Sequence, residues 1–422
     1  MEGQPRGDVG VPCGPHREGA DGRTLCPSDR SRSIADRVMR VVLIHYRDSA
    51  SLGGSLRVGE LLGKHLGPFG IEPHFLFAYG GPGPLALRSG VPCHFLHAQG
   101  PTDPDGWRNA RRVLRQINAE LLHFINPVFW LSLALLDWRP KILHVHGPME
   151  PDRTRFRDRA IWHSFRCLMS GHVCVSQNMR QKMLKAGWSN KENTWVVYNA
   201  VDCRALTPVP ARDEARRLLG LPEGVRLLGF VARQVPEKGC FDALELVGKL
   251  PDYFHLAYFG DGPLHEDLRR AAEGNKALLQ RVHFRKTQDD VRPIYGAIDY
   301  LLFLSKTEPF GLTIAEAMAC GVPVVGLAGE GGYREPELPL VTEETAVLLP
   351  RPEDGTAGRE TPAGLLSDLA ERIVRLDEDS ERRVGMSSKA RSHVREFFDA
   401  PRLARQMVEV YQAVCRRHRR DT

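Results

Sequence analysis

The chain has 422 residues, of which 42% are hydrophobic and 26% charged, and its formal net charge is +6 at pH 7. This length is right for two domains, and the composition is that of a folded globular chain, which excludes global disorder. The first half is basic, because residues 40–200 hold 20 Lys and Arg against 11 Asp and Glu. Such a bias favours an anionic partner, either a membrane face or a phosphate-bearing acceptor, although solvated arginines without a partner explain it equally well.

The nine cysteines are scattered, with no CxxC pair and no Cys/His cluster at metal-ligand spacing, which favours a reducing, cytoplasmic location. No stretch approaches the roughly 20 apolar residues of a membrane span, and the N-terminus lacks the apolar core of a signal peptide. Residues 1–38 are rich in Gly, Pro, Ser, Arg and Asp, which predicts a disordered tail. Because Met39 directly precedes the first apolar run, a native start at that residue is a hypothesis.

Short apolar runs alternate with amphipathic segments from Val41 onward, which predicts an α/β fold built from βαβ units. The first series of predicted strands is Val41–His45, His74–Ala78, Cys93–Leu96, Leu121–Ile125, Ile142–Val145 and His172–Val175, with helices such as Gly54–Leu66 and Asp105–Ala119 between them. The second series is Arg226–Val231, Phe254–Phe259, Val282–Phe284, Tyr300–Leu304, Val322–Gly326 and Ala346–Leu349. Two doubly wound, Rossmann-like domains are expected, an N-terminal one at 39–203 and a C-terminal one at 204–401. The last segment, Asp379–Arg420, is helical in pattern. Its C-terminal helix, about 402–422, is expected to belong to the first domain.

The segment from Ser305 to Val325 carries the sharpest motif. A strand ends at Leu304, a loop containing Gly311 follows, and a helix is predicted from about Leu312 to Ala319. The N-terminus of a helix after a strand is an anion site, because its unpaired N–H groups and dipole face the loop. Glu316, one turn inside this helix, can accept hydrogen bonds from two ribose hydroxyls. Glu308, on the loop, can reach hydroxyls of the group that the diphosphate carries. Alternatively, both glutamates only cap and solvate a surface helix.

A second loop follows the strand Arg226–Val231 and contains Arg233 and Lys238. Both side chains can bind a diphosphate, the arginine through its planar fork and the lysine as a point charge. Either residue alone fits a solvated surface cation. As a pair at the carboxyl end of a strand, where ligands of α/β proteins bind, they favour a diphosphate site.

Together, the Arg233/Lys238 loop, the Gly260-Asp-Gly-Pro263 turn and the two glutamates resemble the retaining GT-B glycosyltransferases, specifically glycosyltransferase family 4. The resemblance extends from Met39 to the C-terminal helix and is strongest from Gly229 to Val325. It implies two Rossmann-like domains facing a central cleft. Ala232 and Ala200 replace glycines that are usual in the family, and the stretch after Val325 is longer than usual. The loop Gly331-Gly332 with Glu335 still resembles the donor-side turn of the family.

The resemblance also implies roles for individual residues. Arg233 and Lys238 would hold the donor diphosphate, and Glu316 would bind the ribose. Glu308 would contact the donor sugar, with backbone N–H groups of Phe310, Gly311 and Leu312 helping. The base would lie against the segment 285–287.

In the first domain, Gly53 and Gly54 resemble the glycine-rich loop of the family, which would bind the donor by letting the backbone approach a phosphate or the acceptor closely. A plain turn is the commoner explanation of a Gly-Gly pair. His146 matches the histidine that family members place over the donor sugar, and would be catalytic together with Glu308, Arg233 and Lys238. His123 is a lesser candidate for the same cleft. We expect His144 to point to the opposite side of its strand from His146.

The implied activity is transfer of a sugar from a UDP- or GDP-type nucleotide sugar to an acceptor hydroxyl, with retention, in the biosynthesis of a glycan, polysaccharide or glycolipid. No metal or other cofactor is expected, since two cations and a helix N-terminus can stabilise the leaving diphosphate. Expected partners are the nucleotide sugar and an acceptor that is a glycan, a lipid-linked sugar or a small molecule; a peripheral membrane contact stays open and no nucleic acid is expected. A sugar-nucleotide epimerase and a catalytically silent binding protein are the alternatives.

Overall fold

Two parallel β-sheets organise the chain. The computed structural model describes residues 38–49, 53–136, 140–147, 156–286, 288–351 and 361–421. Of the predicted N-terminal tail, 1–37 lie outside these described residues. Residues 38–422 form one compact unit that holds both sheets.

The first sheet has seven parallel strands. They are β1 (Met39–Arg47), β2 (Ile71–Tyr79), β3 (Cys93–Phe95), β4 (Leu121–Phe124), β5 (Lys141–Val145), β6 (Gly171–Cys174) and β7 (Thr194–Val196). Their helices are α1 (Gly54–His65), α2 (Pro84–Arg88), α3 (Pro104–Ile117), α4 (Phe129–Ala134), α5 (Phe156–Leu168) and α6 (Gln177–Lys185). The spatial order is β3-β2-β1-β4-β5-β6-β7, so the order of the strands reverses between β1 and β4.

The second sheet has six parallel strands, and a two-stranded ladder lies beside it. The strands are β8 (Arg226–Val231), β9 (Phe254–Phe259), β10 (Val282–Arg285), β11 (Tyr300–Phe303), β13 (Val324–Ala328) and β15 (Ala346–Pro350), and the ladder pairs β12 (Thr307–Glu308) with β14 (Glu330–Gly331). The helices are α7 (Arg212–Leu219), α8 (Cys240–Lys249), α9 (His265–Glu273), α10 (Lys276–Leu279), α11 (Arg292–Ala297), α12 (Leu312–Cys320), α13 (Ala363–Glu378) and α14 (Ser380–Phe397). The order β10-β9-β8-β11-β13-β15 reverses between β8 and β11.

The strands are buried on both faces, as expected for parallel sheets covered by helices. In β1, Val41 to Ile44 have no exposed surface, and their side chains divide between two hydrophobic clusters, one on each face of the first sheet. The second sheet has the same arrangement, with separate clusters on its two faces. The near-continuous apolar runs of the sequence correspond to this double burial.

A long C-terminal helix, α15 (Ala400–Asp421), packs in the same hydrophobic cluster as strands of the first sheet. The chain crosses from the first sheet to the second near Val201, and it crosses back near Ala400, beside the first crossing. There, Val201 N–H donates to Phe398 C=O (2.9 Å) and Ala400 N–H donates to Val201 C=O (3.0 Å). We refer to residues 38–201 with α15 as the first-sheet region, and to residues 202–399 as the second-sheet region.

Candidate functional site

The two predicted loops of the second-sheet region lie side by side. β8 and β11 are neighbours in the sheet, with Tyr300 opposite Leu228, and the loops follow the carboxyl ends of these two strands. The backbone N–H of Lys306 donates to the C=O of Glu237 (2.8 Å) and ties the loops together. They therefore meet where the strand order reverses, which is where open α/β sheets bind ligands.

Lys238 and Glu308 meet across these loops. Nζ of Lys238 donates to Oε2 of Glu308 at 2.6 Å, and both side chains are about one fifth exposed, at 22% and 17%. Lys238 ends a short 3-10 helix, and Gly239 follows with φ of 73°. A Cβ at Gly239 would lie 2.7 Å from the Leu304 carbonyl oxygen, so this turn requires glycine. The sequence placed both residues in one site, but it did not predict their mutual ion pair.

Arg233 is exposed, and no described residue pairs with its guanidinium. Its loop rests on the Gly260–Pro263 turn, because a Cβ at Gly260 would lie 2.2 Å from the Ala232 carbonyl oxygen. The backbone N–H of Gln234 donates to the C=O of Asp261 at 2.9 Å. The turn therefore fixes the backbone of the loop and leaves the Arg233 side chain open to solvent.

Helix α12 begins at Leu312 after Gly311, whose φ of 97° is the left-handed conformation that glycine adopts readily. Phe310, before it, is buried and packs against Phe398 with a ring separation of 5.6 Å. Within the helix, Glu316 is buried, and the hydroxyl of Tyr295 donates to its Oε2 at 2.7 Å. Burial, followed by the charge of Glu316, raises the pKa of Tyr295 well above its ordinary value, so this hydroxyl stays protonated as a donor.

The glycine loop of the first-sheet region reaches the same helix. Gly53 has a φ of 58°, and a Cβ at Gly54 would lie only 2.8 Å from Cδ1 of Leu312. One turn further along α1, the guanidinium of Arg57 donates to Oε1 of Glu316 through Nη1. Charge attraction to Glu316 raises the pKa of Arg57. The Gly53-Gly54 pair and the Glu316 helix are thus in contact, and Arg57 is a residue of the candidate site that the sequence did not indicate.

His146 follows β5, and both of its ring nitrogens are buried without a hydrogen-bond partner among the described residues. Its ring centroid lies 4.0 Å from that of His144. The expectation that these two rings point to opposite sides of the strand was wrong, because residues two apart on a strand point to the same face. Burial lowers the pKa of His146 well below its ordinary value, so the ring is neutral at pH 7.

His123 lies in the interior of the first-sheet region. Its Nδ1 is 2.7 Å from the hydroxyl of Tyr411 on α15, and its Nε2 is 3.2 Å from Nδ1 of His144. His123, the lesser candidate, therefore lies in a row of side chains that runs from Tyr411 through His123 to the rings of His144 and His146.

Glu335 joins the two regions close to the Glu308 loop, because Gly331, which precedes its turn, pairs with Glu308 in the ladder of β12 and β14. Its carboxylate accepts hydrogen bonds from the backbone N–H groups of Gln177 (2.9 Å) and Asn178 (2.6 Å) at the start of α6, and from the Tyr198 hydroxyl (2.7 Å). A carboxylate at this end of a helix also interacts favourably with the helix dipole. The turn containing Glu335, which resembles a donor-side turn in the sequence, here binds a helix of the other region.

The segment predicted to contact the base is described only in part. The guanidinium of Arg285 donates to the C=O groups of Leu219 (2.5 Å) and Gly220 at the end of α7, and Thr287 lies outside the described residues. In the described part of the chain, no three His, Cys, Asp or Glu residues are grouped so that they could hold a metal ion. Nor does any described helix combine the length and apolar character needed to cross a bilayer.

Comparisons with known proteins agree with this arrangement. Residues 52–205 match the model of Glycosyltransferase Family 4, and residues 211–393 match that of Glycosyl transferases group 1. The chain is 25% identical to the N-acetyl-alpha-D-glucosaminyl L-malate synthase of Bacillus anthracis over 392 residues, which is 87% of this chain and 95% of that protein. It is 29% identical to a D-inositol 3-phosphate glycosyltransferase of Corynebacterium urealyticum over about half of each chain, 54% and 52%.

Solved structures show the same fold. Anabaena HepE, crystallised in complex with UDP and glucose, superposes with a TM-score of 0.73 at 21% identity, over 89% of this chain and 99% of that one. WaaG, a glycosyltransferase involved in lipopolysaccharide biosynthesis, superposes with a TM-score of 0.66 at 16% identity, over 88% and 99%. With its two parallel Rossmann-like sheets and both family models matched in order, the chain belongs to the GT-B glycosyltransferases of family 4.

Proposed function

We propose that the protein is a retaining transferase that moves a sugar from a UDP- or GDP-type nucleotide sugar to an acceptor hydroxyl, in the biosynthesis of a glycan, polysaccharide or glycolipid. The observation that carries the proposal is that two loops lie beside the start of α12, the helix that contains Glu316. One is the loop with Arg233 and Lys238, and the other is the Gly53-Gly54 loop of the first-sheet region. HepE, which shares the fold, was crystallised with UDP-glucose, which supports a nucleotide sugar as the donor.

Each group at this meeting point has a role in the proposed reaction. Arg233 and Lys238, with the N–H groups of Phe310, Gly311 and Leu312, would bind the diphosphate and stabilise the charge that develops on it as the sugar leaves. Glu316 would accept the ribose hydroxyls. Because the positive charge comes from side chains and a helix terminus, we propose a reaction without a metal ion.

His146 and Glu308 would act on the sugar itself. A neutral imidazole can both donate and accept a hydrogen bond, so His146 can hold a sugar hydroxyl without adding a positive charge beside an oxocarbenium-like centre. Glu308 would contact the sugar while its ion pair with Lys238 links that contact to the diphosphate. Retention implies that the acceptor hydroxyl attacks on the face from which the diphosphate departs.

The first-sheet region would bind the acceptor. Its excess of basic residues supports an acceptor with a phosphate group or a peripheral contact with an anionic membrane face. The seven cysteines described are all free, which supports a cytoplasmic location.

Thermal unfolding of the protein with a panel of nucleoside diphosphates and nucleotide sugars tests the donor site, because a ligand that binds only the folded state raises the melting temperature. We expect stabilisation by a UDP- or GDP-type ligand, and its loss in Lys238→Ala and Glu316→Ala. Lys249→Ala, which removes a cation on the neighbouring helix α8, is the control. Isomerisation of the donor without an acceptor would indicate an epimerase, and wild-type turnover in Lys238→Ala or Glu316→Ala would refute the donor site.

A further inference from the structure

Both carboxylate oxygens of Glu316 accept hydrogen bonds from side chains of the protein. Tyr295 donates to Oε2 from the protein interior, and Arg57 donates to Oε1 from the first-sheet region. The Glu316 side chain is 6% exposed and that of Arg57 is 37% exposed, whereas Tyr295 is 2% exposed. The side of the carboxylate that a ligand can approach is therefore the side that Arg57 covers.

The position of Arg57 follows from the packing of α1. The start of this helix rests on Leu312 through Gly54, where an added Cβ would lie 2.8 Å from Cδ1 of Leu312. The acidic residue on α1, Glu60, is engaged by Lys64 at 2.8 Å and by Arg88 at 2.8 Å. Glu316 is consequently the carboxylate available to Arg57.

We propose that Arg57 is an internal competitor for the nucleotide, and that the ribose displaces its guanidinium from Glu316 when the donor binds. The proposal rests on the proposed donor site, in which Glu316 receives the ribose hydroxyls. A guanidinium and a ribose diol both present two donors to one carboxylate, so they compete for Oε1. Since Arg57 belongs to the first-sheet region, arrival of the donor removes one contact between that region and α12, whereas the contact of Gly54 with Leu312 does not involve Glu316.

The test compares ribonucleotides with nucleotides that lack the competing hydroxyls. Dissociation constants are measured by titration calorimetry for UDP, GDP and ADP and for their 2′,3′-dideoxy counterparts, on wild type, Arg57→Met and Arg57→Lys. Arg88→Met, which removes another arginine that packs against α1 but does not contact Glu316, is the matched control.

We expect Arg57→Met to bind the preferred ribonucleotide about tenfold more tightly, as loss of one charge-assisted competing hydrogen bond implies. The dideoxy nucleotides should bind Arg57→Met and wild type equally, Arg57→Lys should be intermediate, and Arg88→Met should match wild type. Equal weakening for both nucleotide types would make Arg57 a phosphate ligand and would overturn the proposal, as would unchanged affinity for both. If no diphosphate binds wild type or Arg57→Met, the donor site itself fails and the competition with it.

Discussion

Lys238 and Glu308 form an ion pair of 2.6 Å between the loops that follow two neighbouring strands. The cation proposed to bind the diphosphate is thus partly neutralised by the acid proposed to contact the sugar. Lys238 is proposed to act in binding the diphosphate and Glu308 in the transfer of the sugar, so the two roles can be distinguished by experiment.

Glu308→Gln should separate binding from turnover. The substitution frees Lys238 for the diphosphate, so the affinity for the nucleoside diphosphate should be unchanged or higher. Turnover should fall by about 100-fold, because the carboxylate that contacts the donor sugar in the transition state is lost. Titration calorimetry and initial rates measure the two quantities. Glu330→Gln, which removes an exposed acid from the paired strand β14, should leave both unchanged. A parallel loss of affinity and rate in Glu308→Gln would contradict the separate roles.

Tyr295→Phe should weaken donor binding and lower stability. Removing a buried hydroxyl that donates to Glu316 should cost about 1–2 kcal/mol of the free energy of unfolding. The donor KM should rise more than kcat falls, since the ribose carboxylate loses its orientation. Tyr300→Phe is the matched control, because its buried hydroxyl donates to Asp377 at 2.8 Å on another helix. Tyr300→Phe should lower stability similarly without changing the donor KM; an equal change of KM in both variants would refute the role of Tyr295.

Glu335→Ala should loosen the contact between the two regions. The buried carboxylate accepts three hydrogen bonds, so its removal leaves donors unpaired and should cost about 3 kcal/mol in the free energy of unfolding. Urea denaturation measures this loss. Glu337→Ala removes a neighbouring acid that accepts one exposed bond from Gln177, and should cost far less. Similar losses in the two variants would show that Glu335 does not join the regions.

Stability should fall as the pH drops below about 6.5, because buried histidines must stay neutral in the folded protein. Burial lowers the pKa of His45 to about 3 and of His172 to about 4, and the pKa values of His123, His144 and His146 are also well below normal. Between pH 6.5 and the pKa values of these histidines in the folded state, the unfolded chain binds more protons than the folded one. The free energy of unfolding therefore decreases as the pH falls through this range. Above pH 6.5 both states are neutral at these residues, and they contribute no pH dependence.

Urea midpoints measured from pH 7.5 to pH 5 test this pH dependence. In His45→Leu the slope of stability against pH should decrease by about one proton's contribution, because one group no longer titrates only in the unfolded state. A flat wild-type profile over this range would contradict the prediction.

The sequence predicted most strands of the two sheets but missed three very short ones. β8 and β9 have the predicted bounds, since a continuous apolar run bounded by loops is enough to define a strand buried on both faces. The three-residue edge strand β7 and the two-residue strands β12 and β14 were not predicted, because so few residues show no periodicity. The equally short edge strand β3 was predicted within the apolar segment Cys93–Leu96. The unbroken helical pattern from Asp379 to Arg420 is divided into α14 and α15 where the chain returns to the first-sheet region.

The relative positions of candidate site residues were predictable where a local motif marks them. The loop glycines, Lys238 and Glu308 follow the carboxyl ends of predicted strands, and Glu316 lies on the helix after one of these loops. The structure brings the Lys238 and Glu308 loops together. Arg57 was not predictable, because its partner Glu316 is 259 residues away and only tertiary packing joins them. The same holds for the contacts of Glu335 with α6, because the residues that it binds are more than 150 positions away in the sequence.

The packing of α15 has a consequence for biosynthesis. Tyr411 and Val414 of this helix fill the interior beneath strands made more than two hundred residues earlier. While the ribosome is still translating, the nascent chain therefore contains a complete second sheet before the first has acquired its final layer. The first sheet therefore completes its packing only after the second-sheet region has been synthesised. A chain that ended before residue 400 would leave apolar surface of the first-sheet strands exposed.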